Sequence, residues 1–324
     1  MLSRKEDGRV AKLKRKRYTA KDITWEQAYN LYEEEKSRYN VSEKTLFNYR
    51  YAFTKWNKVF ELGEDASIEA ATAYSYDEFV DALRATNIKP ESINTYVRNI
   101  NHFFHWLEAG NFIQGRRRGI VLKVEDTLPK FVEDQEVEKL LGEYDRNDFT
   151  ESRCYTIICL MLATGIRVGS AAELLISDWD RKEGILTLRK TKTRRQQVIY
   201  LPASAQEVLD RYYFDYLHDT NIKYLFPNYM GDKISVIGLE KAHRKFCEKR
   251  GVKNNHLHSL RHAFSYYYIR NGGDLYRLQK MLNHTSVRST MRYGRLFDSD
   301  IANDFEKNIL NDFIGTHRIT KRKH

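Results

Sequence analysis

The chain has 324 residues, of which 41% are hydrophobic, and this suits two globular domains that each bury a core. The longest apolar runs are too short to span a bilayer, and no apolar signal region follows the basic first residues. The three cysteines form no CxxC pair. We therefore expect a cytoplasmic protein rather than a membrane or secreted one. With 55 Lys and Arg against 44 Asp and Glu, the net charge of +11 favours a polyanionic partner such as nucleic acid.

The positive charge is concentrated at the N-terminus. Residues 1–17 carry eight Lys or Arg against Glu6 and Asp7. We therefore expect residues 1–18 to form a flexible basic arm that lies along phosphates, with a merely disordered tail as the alternative.

Helical periodicity follows the tail. Thr24 with Gln27 three residues later resembles a capping box that begins a first helix. A second helix is predicted from Ser42, a shorter one over residues 76–86 and another long one after Pro90, because apolar side chains recur every three or four positions. We interpret the aromatic residues of these stripes as core rather than as a platform that stacks on bases.

These patterns divide the chain into domains. We predict a helical domain over residues 19–112, a linker over 113–128 where glycines and arginines break the periodicity, and a second domain over 129–324. The second domain begins and ends with helical patterns. Between them, Ile185–Leu188 and Gln197–Leu201 are predicted to form a β-hairpin.

The second domain contains a histidine- and arginine-rich helix. His258 and Arg261 are three residues apart, so a proton donor and a guanidinium share one helix face and can converge on one anion. His258 and His262 also have the spacing of a metal pair, but no HExxH glutamate and no third ligand accompany them. We therefore expect no metal site here.

Other motifs of the second domain are weak when each is taken alone. Thr164-Gly165-Ile166-Arg167 places an arginine after a glycine that can end a helix, and the tip of the hairpin is the cationic segment Lys190–Arg195. Tyr293 lies nine residues after His284, but it is one of 22 tyrosines. A single tyrosine of this kind is by default a core or surface residue.

The order and spacing of these motifs resemble the tyrosine recombinase, or integrase, family. The resemblance covers roughly residues 129–297, and the preceding helical domain resembles that family's core-binding domain. It implies six catalytic residues: Arg167 and Arg261 that bind phosphate, His258, His284, the nucleophile Tyr293, and a hairpin lysine for which Lys192 fits better than Lys190.

Two positions depart from the family pattern. Ser170 stands where an acidic residue is usual, three residues after the first arginine, and Glu173 follows three residues later. Gly294-Arg295 follows the tyrosine, where a Thr-His-like pair is common among relatives. The first departure concerns the local geometry of the site more than the bond-breaking chemistry.

The resemblance also implies an architecture. The fold is expected to be mainly α with a small antiparallel β-hairpin or sheet, in which the helical core-binding domain and a mixed α/β catalytic domain clamp double-stranded DNA at inverted-repeat core sites. A C-terminal helix with an apolar face around residues 301–313 is expected to dock on a neighbouring protomer in a homotetramer on two DNA sites, or alternatively to pack on its own domain. A nucleoid-associated prokaryotic protein is implied.

The chemistry of these residue types suits attack on a phosphodiester. Two guanidiniums stabilise the charge that develops on the non-bridging oxygens, and Tyr293 needs a base or a positive site because a phenol ionises near pH 10. His258 is the candidate for that proton, and the hairpin lysine for protonating the departing 5′ oxygen. The resulting 3′-phosphotyrosine intermediate requires no metal, cofactor or ATP.

Two rival functions share part of this pattern. A type IB topoisomerase uses the same nucleophile chemistry without exchanging partners, and a non-catalytic DNA-binding relative would keep only the fold. We expect a recombinase that integrates or excises a mobile element, because of the basic tail and the departures from the family pattern.

Overall fold

Helices make up most of the structure, a computed structural model that describes residues 19–115, 118–124, 130–189, 196–254, 256–284 and 286–294. The chain divides into two units, residues 1–125 and 126–324. The basic tail, the hairpin tip with Lys190 and Lys192, and the predicted C-terminal helix lie outside the described residues. Within the described ranges, no helix has both the length and the apolar character needed to cross a bilayer.

The first unit is helical, as predicted. Its helices are α1 (Trp25–Arg38), α2 (Glu43–Val59), α3 (Ile68–Ala73), α4 (Tyr76–Ala85) and α5 (Pro90–Ala109). The capping box at the start of α1 is present, since the Thr24 hydroxyl accepts from the Gln27 backbone N–H at 3.2 Å and the Gln27 side chain accepts from the Thr24 N–H at 3.0 Å. The short helix α3 was not predicted.

Aromatic side chains form the core of the first unit. Trp25, Trp56, Phe103 and Phe104 are each at most 1% exposed, and their rings pack at centroid distances of 4.8 Å (Trp25 to Phe103) and 5.2 Å (Trp56 to Phe104). The buried Trp56 indole N–H donates to the Ala71 carbonyl at 3.1 Å, so its one polar atom is satisfied. The interpretation of the aromatic stripes as core is confirmed.

The second unit combines helices with one small sheet. Its helices are α6 (Asp134–Leu141), α7 (Phe149–Thr164), α8 (Val168–Ala171), α9 (Ala203–Tyr216), α10 (Val236–Lys249), α11 (Leu257–Arg270), α12 (Leu275–Met281) and α13 (Arg288–Gly294), with a 3₁₀ turn at Ile176–Asp178. The strands are β1 (Trp179–Asp180), β2 (Ile185–Leu188) and β3 (Gln197–Tyr200), in the order β1-β2-β3 with antiparallel pairing. This agrees with the predicted fold class.

The alternation of side chains in the sheet explains why this hairpin forms. Leu186 pairs with Ile199, and both side chains are buried, whereas Val198 and Tyr200 on β3 are 48% and 74% exposed. One face of the sheet therefore packs on the core and the other faces solvent.

Helix α7 is the central helix of the second unit. It packs against α6, α9, α10 and α11. Its N-terminus is capped by Asp148, whose carboxylate accepts from the backbone N–H groups of Thr150 at 2.7 Å and Glu151 at 3.1 Å. The C-terminal end of this helix lies beside α11, where the predicted site residues lie.

Candidate active site

Gly165 forms the turn that places Arg167. It ends α7 in the left-handed conformation, with φ of 64°, and its backbone N–H donates to the Met161 carbonyl at 2.9 Å. A Cβ at this position would lie 2.4 Å from Phe264 Cδ1 and 2.9 Å from Leu282 Cδ2. Only glycine fits both the backbone conformation and the close approach of α11.

We expect Gly165→Ala to lower the free energy of unfolding of the second unit by about 2–4 kcal/mol, because a left-handed alanine is strained and its methyl group overlaps the Phe264 ring. The measurement is urea unfolding monitored through the amide hydrogen exchange of α7. Gly169→Ala is the matched control, since Gly169 lies in α8 with no atom within 4 Å of the position that a methyl group would take, and it should be neutral or slightly stabilising. Equal stability of the two variants would contradict a packing role for the Gly165 turn.

Arg261 joins three segments of the site. Its side chain is 3% exposed; Nη1 donates to the Gly165 carbonyl, and Nη2 donates to the Leu282 carbonyl at 2.7 Å and lies 3.0 Å from His284 Nε2. Burial, together with the neighbouring positive charge of Arg167, lowers the pKa of Arg261 to about 9. The guanidinium remains protonated at neutral pH.

Arg167 approaches the same loop from the other side. It is half-buried, and its Nη2 donates to the Asn283 carbonyl at 3.4 Å. Asn283 has a φ of 49°, so the chain after α12 turns through the left-handed region and directs the carbonyls of Leu282 and Asn283 to the two arginines. Burial lowers the pKa of Arg167, as it does for Arg261. Two cations that repel each other are thus held together by backbone carbonyls.

His284 connects Arg261 to helix α13. Because a guanidinium only donates, His284 Nε2 accepts from Arg261, which places the ring proton on Nδ1. That proton is donated to the hydroxyl of Thr290, 2.8 Å away, and Thr290 is 1% exposed. In this arrangement His284 is neutral and fixes the start of the helix that carries Tyr293.

Tyr293 is a buried residue of α13. It is 2% exposed and packs with Phe264, Leu278 and Leu282. Its hydroxyl lies 2.5 Å from His262 Nδ1. The partner of the hydroxyl is therefore His262, one helical turn beyond the His258 that the sequence analysis favoured.

His258 lies on the exposed side of the same helix. Its ring is edge-on to that of His262, with centroids 4.7 Å apart. The pKa of His258 is below its ordinary value, chiefly because the ring is partly desolvated and further because Arg261 and Arg167 are nearby cations. A neutral His258 beside two arginines is suited to contact an anion that the arginines bind.

The comparisons with known proteins bear on this arrangement. The Phage integrase family matches residues 130–299, slightly more than half of the chain, and these residues include both arginines, both predicted histidines and Tyr293. The chain belongs to this family. It is 28% identical to tyrosine recombinase XerA of Pyrococcus furiosus over 85% of this chain and 91% of the relative, and 26% identical to tyrosine recombinase XerC of Staphylococcus epidermidis over 81% and 90%. The predicted family and recombinase activity are confirmed.

Solved structures support the same fold. The Tn1549 transposon integrase in complex with transposon right end DNA aligns over 89% of this chain and 99% of that one, with a TM-score of 0.68 at 15% identity. A lambda integrase dimer bound to a COC′ core site aligns over 84% and 77%, with a TM-score of 0.65 at 17% identity. At such identities these likenesses show the fold alone.

The hairpin of the recombinase is attached to the site through its base. Lys190 and Lys192 lie outside the described residues, but the strand that follows them, β3, begins at Gln197. The Gln197 side-chain amide donates to the Met281 carbonyl at 2.7 Å, two residues before Asn283. Strand β3 is therefore bound to the last residue of α12, directly before the loop that carries the arginine acceptors.

The departure at Ser170 is not compensated by Glu173. The Glu173 carboxylate pairs with Lys233 at 2.7 Å, and both residues line a surface pocket with Ser170 and Arg189. The buried Asp178 carboxylate in the same pocket pairs with Arg189. The acidic groups near this pocket are thus engaged by other cations.

The structure brings five of the six predicted residues into one part of the second unit: Arg167, His258, Arg261, His284 and Tyr293. His262, which contacts the Tyr293 hydroxyl, is the residue at this site that was not among the predicted six, although its spacing four residues after His258 was noted. Among the described residues, no group of three or more His, Cys, Asp or Glu side chains is arranged to hold a metal ion.

Proposed function

We propose that the recombinase cleaves and rejoins double-stranded DNA through a covalent bond between Tyr293 and a 3′ phosphate. The observation that carries this proposal is the network in which Arg261 contacts the Gly165 turn, the Leu282 carbonyl and His284, while His284 reaches Thr290 on the Tyr293 helix. Arg261 and the helix that carries Tyr293 are thereby joined by one set of hydrogen bonds, and Arg167 donates to the adjacent Asn283 carbonyl.

The proposed roles follow from the donors that each side chain offers. Arg167 and Arg261 donate to the non-bridging oxygens of the scissile phosphate, where negative charge develops during attack. His258, neutral and exposed beside them, adds a further donor. His284 orients Arg261, and a hairpin lysine, Lys192 in preference to Lys190, protonates the departing 5′ oxygen.

The proposed substrate is duplex DNA with inverted-repeat core sites. A net charge of +11 favours DNA, and relatives of this fold have been solved on DNA core sites and transposon ends. We further propose a homotetramer on two such sites, joined through the C-terminal helix, in the nucleoid of a prokaryotic cell. The basic residues 1–17 support a role in integration or excision of a mobile element.

A plasmid assay tests this function against that of a type IB topoisomerase. A supercoiled plasmid carries two direct copies of the DNA that flanks the gene for this chain, and a second plasmid lacks them. We expect the first plasmid to be resolved into two circles and the second to stay supercoiled. Relaxation of both plasmids at the same rate, with no deletion product, would instead show a topoisomerase.

A further inference from the structure

The hydroxyl of Tyr293 has a specific imidazole partner. His262 Nδ1 lies 2.5 Å from Tyr293 Oη, so the two atoms are in direct contact and a proton can pass between them. Both residues lie in packed helices, since His262 lies within α11 and Tyr293 is 2% exposed against Phe264, Leu278 and Leu282. The contact therefore results from the packing of α13 on α11.

The two histidines of α11 face different groups. His262 and His258 are one turn apart on the same side of the helix, and their rings meet edge to face at 4.7 Å. His258 is exposed and lies close enough to Arg167 and Arg261 for their charges to lower its pKa. His258 is thus on the side of the arginines, whereas His262 is on the side of the tyrosine.

We propose that His262 is a further catalytic residue, which accepts the hydroxyl proton of Tyr293 when this tyrosine attacks DNA. The assignment rests on the proposed function of Tyr293 as nucleophile. A phenol has an ordinary pKa near 10, so at neutral pH only a small fraction of it is ionised without a base.

The proton and electron pairs balance in this step. The Tyr293 O–H bond breaks and an N–H bond forms at His262 Nδ1, while Oη bonds to phosphorus and the bond from phosphorus to the 5′ oxygen breaks. The 5′ oxygen takes its proton from a separate donor, the hairpin lysine of the proposed mechanism. In religation the steps reverse, and the His262 imidazolium returns its proton to Tyr293 as the phenolate leaves.

The charges of the site are compatible with this transfer. The neutral pair of tyrosine and histidine becomes a pair of phenolate and imidazolium, so no net charge is added beside Arg261 and Arg167. The nucleophile is generated where the positive charge of Arg261 favours the phenolate. His258 is left to contact the phosphate throughout.

The test changes the base and the acidity of the nucleophile separately. His262→Asn keeps a side-chain amide near the Nδ1 position but removes the base, and 3,5-difluorotyrosine placed at position 293 supplies a more acidic phenol. The readout is the initial rate of covalent adduct formation on a nicked duplex made from the DNA that flanks the gene. With tyrosine at position 293, we expect His262→Asn to lower this rate by about 100–1,000-fold.

With difluorotyrosine at position 293, we expect the loss caused by His262→Asn to shrink to less than about tenfold, because a more acidic phenol depends less on a base to lose its proton. His218→Asn, a substitution of an exposed histidine in the same unit, is the matched control and should leave both rates unchanged. His262→Gln provides a second variant in case the first does not fold, which circular dichroism reports.

The outcomes distinguish failure of the role assigned to His262 from failure of the role assigned to Tyr293. An equal loss with tyrosine and with difluorotyrosine would show that His262 only positions the ring, and a rate unchanged by His262→Asn would show that it has no role. Either result overturns the assignment of His262 while the adduct itself still forms. Absence of adduct from the unsubstituted chain would overturn the proposed function instead, and with it this assignment.

Discussion

Tyr293→Phe is expected to abolish the covalent adduct with nicked DNA, a loss of roughly 10⁴-fold or more, because the variant lacks the oxygen that bonds to phosphorus. The fold should survive. The phenyl ring fills the same space beside Phe264, Leu278 and Leu282, and the hydrogen bond to His262 that is lost is worth about 0.5–1.5 kcal/mol. The measurement is the fraction of SDS-resistant protein–DNA complex after incubation with nicked duplex from the flanking DNA.

A DNA-binding assay distinguishes a variant that cannot cleave DNA from one that cannot bind it. We expect Tyr293→Phe to shift the same duplex in a native gel with unchanged affinity, because the substitution removes one hydroxyl and leaves the cationic groups proposed to bind phosphate in place. Tyr276→Phe is the matched control, since Tyr276 is 62% exposed on the neighbouring helix α12 and should form adduct normally. Adduct formation by the Tyr293→Phe variant would assign the nucleophile to another of the 22 tyrosines, which peptide mapping would identify.

The features that sequence analysis predicted are local in the chain. The Thr24–Gln27 capping box and the strands β2 and β3 depend on residues that are close in sequence, and the structure contains them with nearly the predicted bounds. The role of Gly165 in ending a helix could also be predicted from its position, because a glycine commonly follows the last residue of a helix. Two short elements, α3 and β1, contain too few residues to show a period and were not predicted.

The features that it did not predict depend on distant contacts. Arg261 is bonded to the carbonyl of Gly165, which lies 96 residues earlier in the chain, and no side-chain pattern reports the direction of a backbone carbonyl. The choice between His258 and His262 as the partner of Tyr293 is decided by how α13 packs on α11. Glu173 similarly had the right charge near Ser170, but its pairing with Lys233 is set by the tertiary fold.

The two arginines are expected to differ in what they do for the fold. Arg261→Ala removes the donor for the Gly165 and Leu282 carbonyls and for His284, and all of these groups lie in or beside a buried region. Leaving a buried acceptor without a donor costs about 1–3 kcal/mol. We therefore expect Arg261→Ala to lower the free energy of unfolding of the second unit by about 3–5 kcal/mol, measured by hydrogen exchange of the amides in α7 and α11.

Arg167→Ala is the comparison that isolates the chemical role. Arg167 is half-buried and makes, within the described part of the chain, one long hydrogen bond of 3.4 Å to Asn283, so its removal should change stability by less than about 1 kcal/mol. Each arginine variant should nevertheless lower adduct formation by about 100–1,000-fold, because each loses a preorganised donor to the phosphate. Equal stability of the two variants would contradict the structural role assigned to Arg261. Normal adduct formation by folded Arg167→Ala would remove Arg167 from the phosphate site, and the shared loop at Leu282 and Asn283 would then serve Arg261 alone.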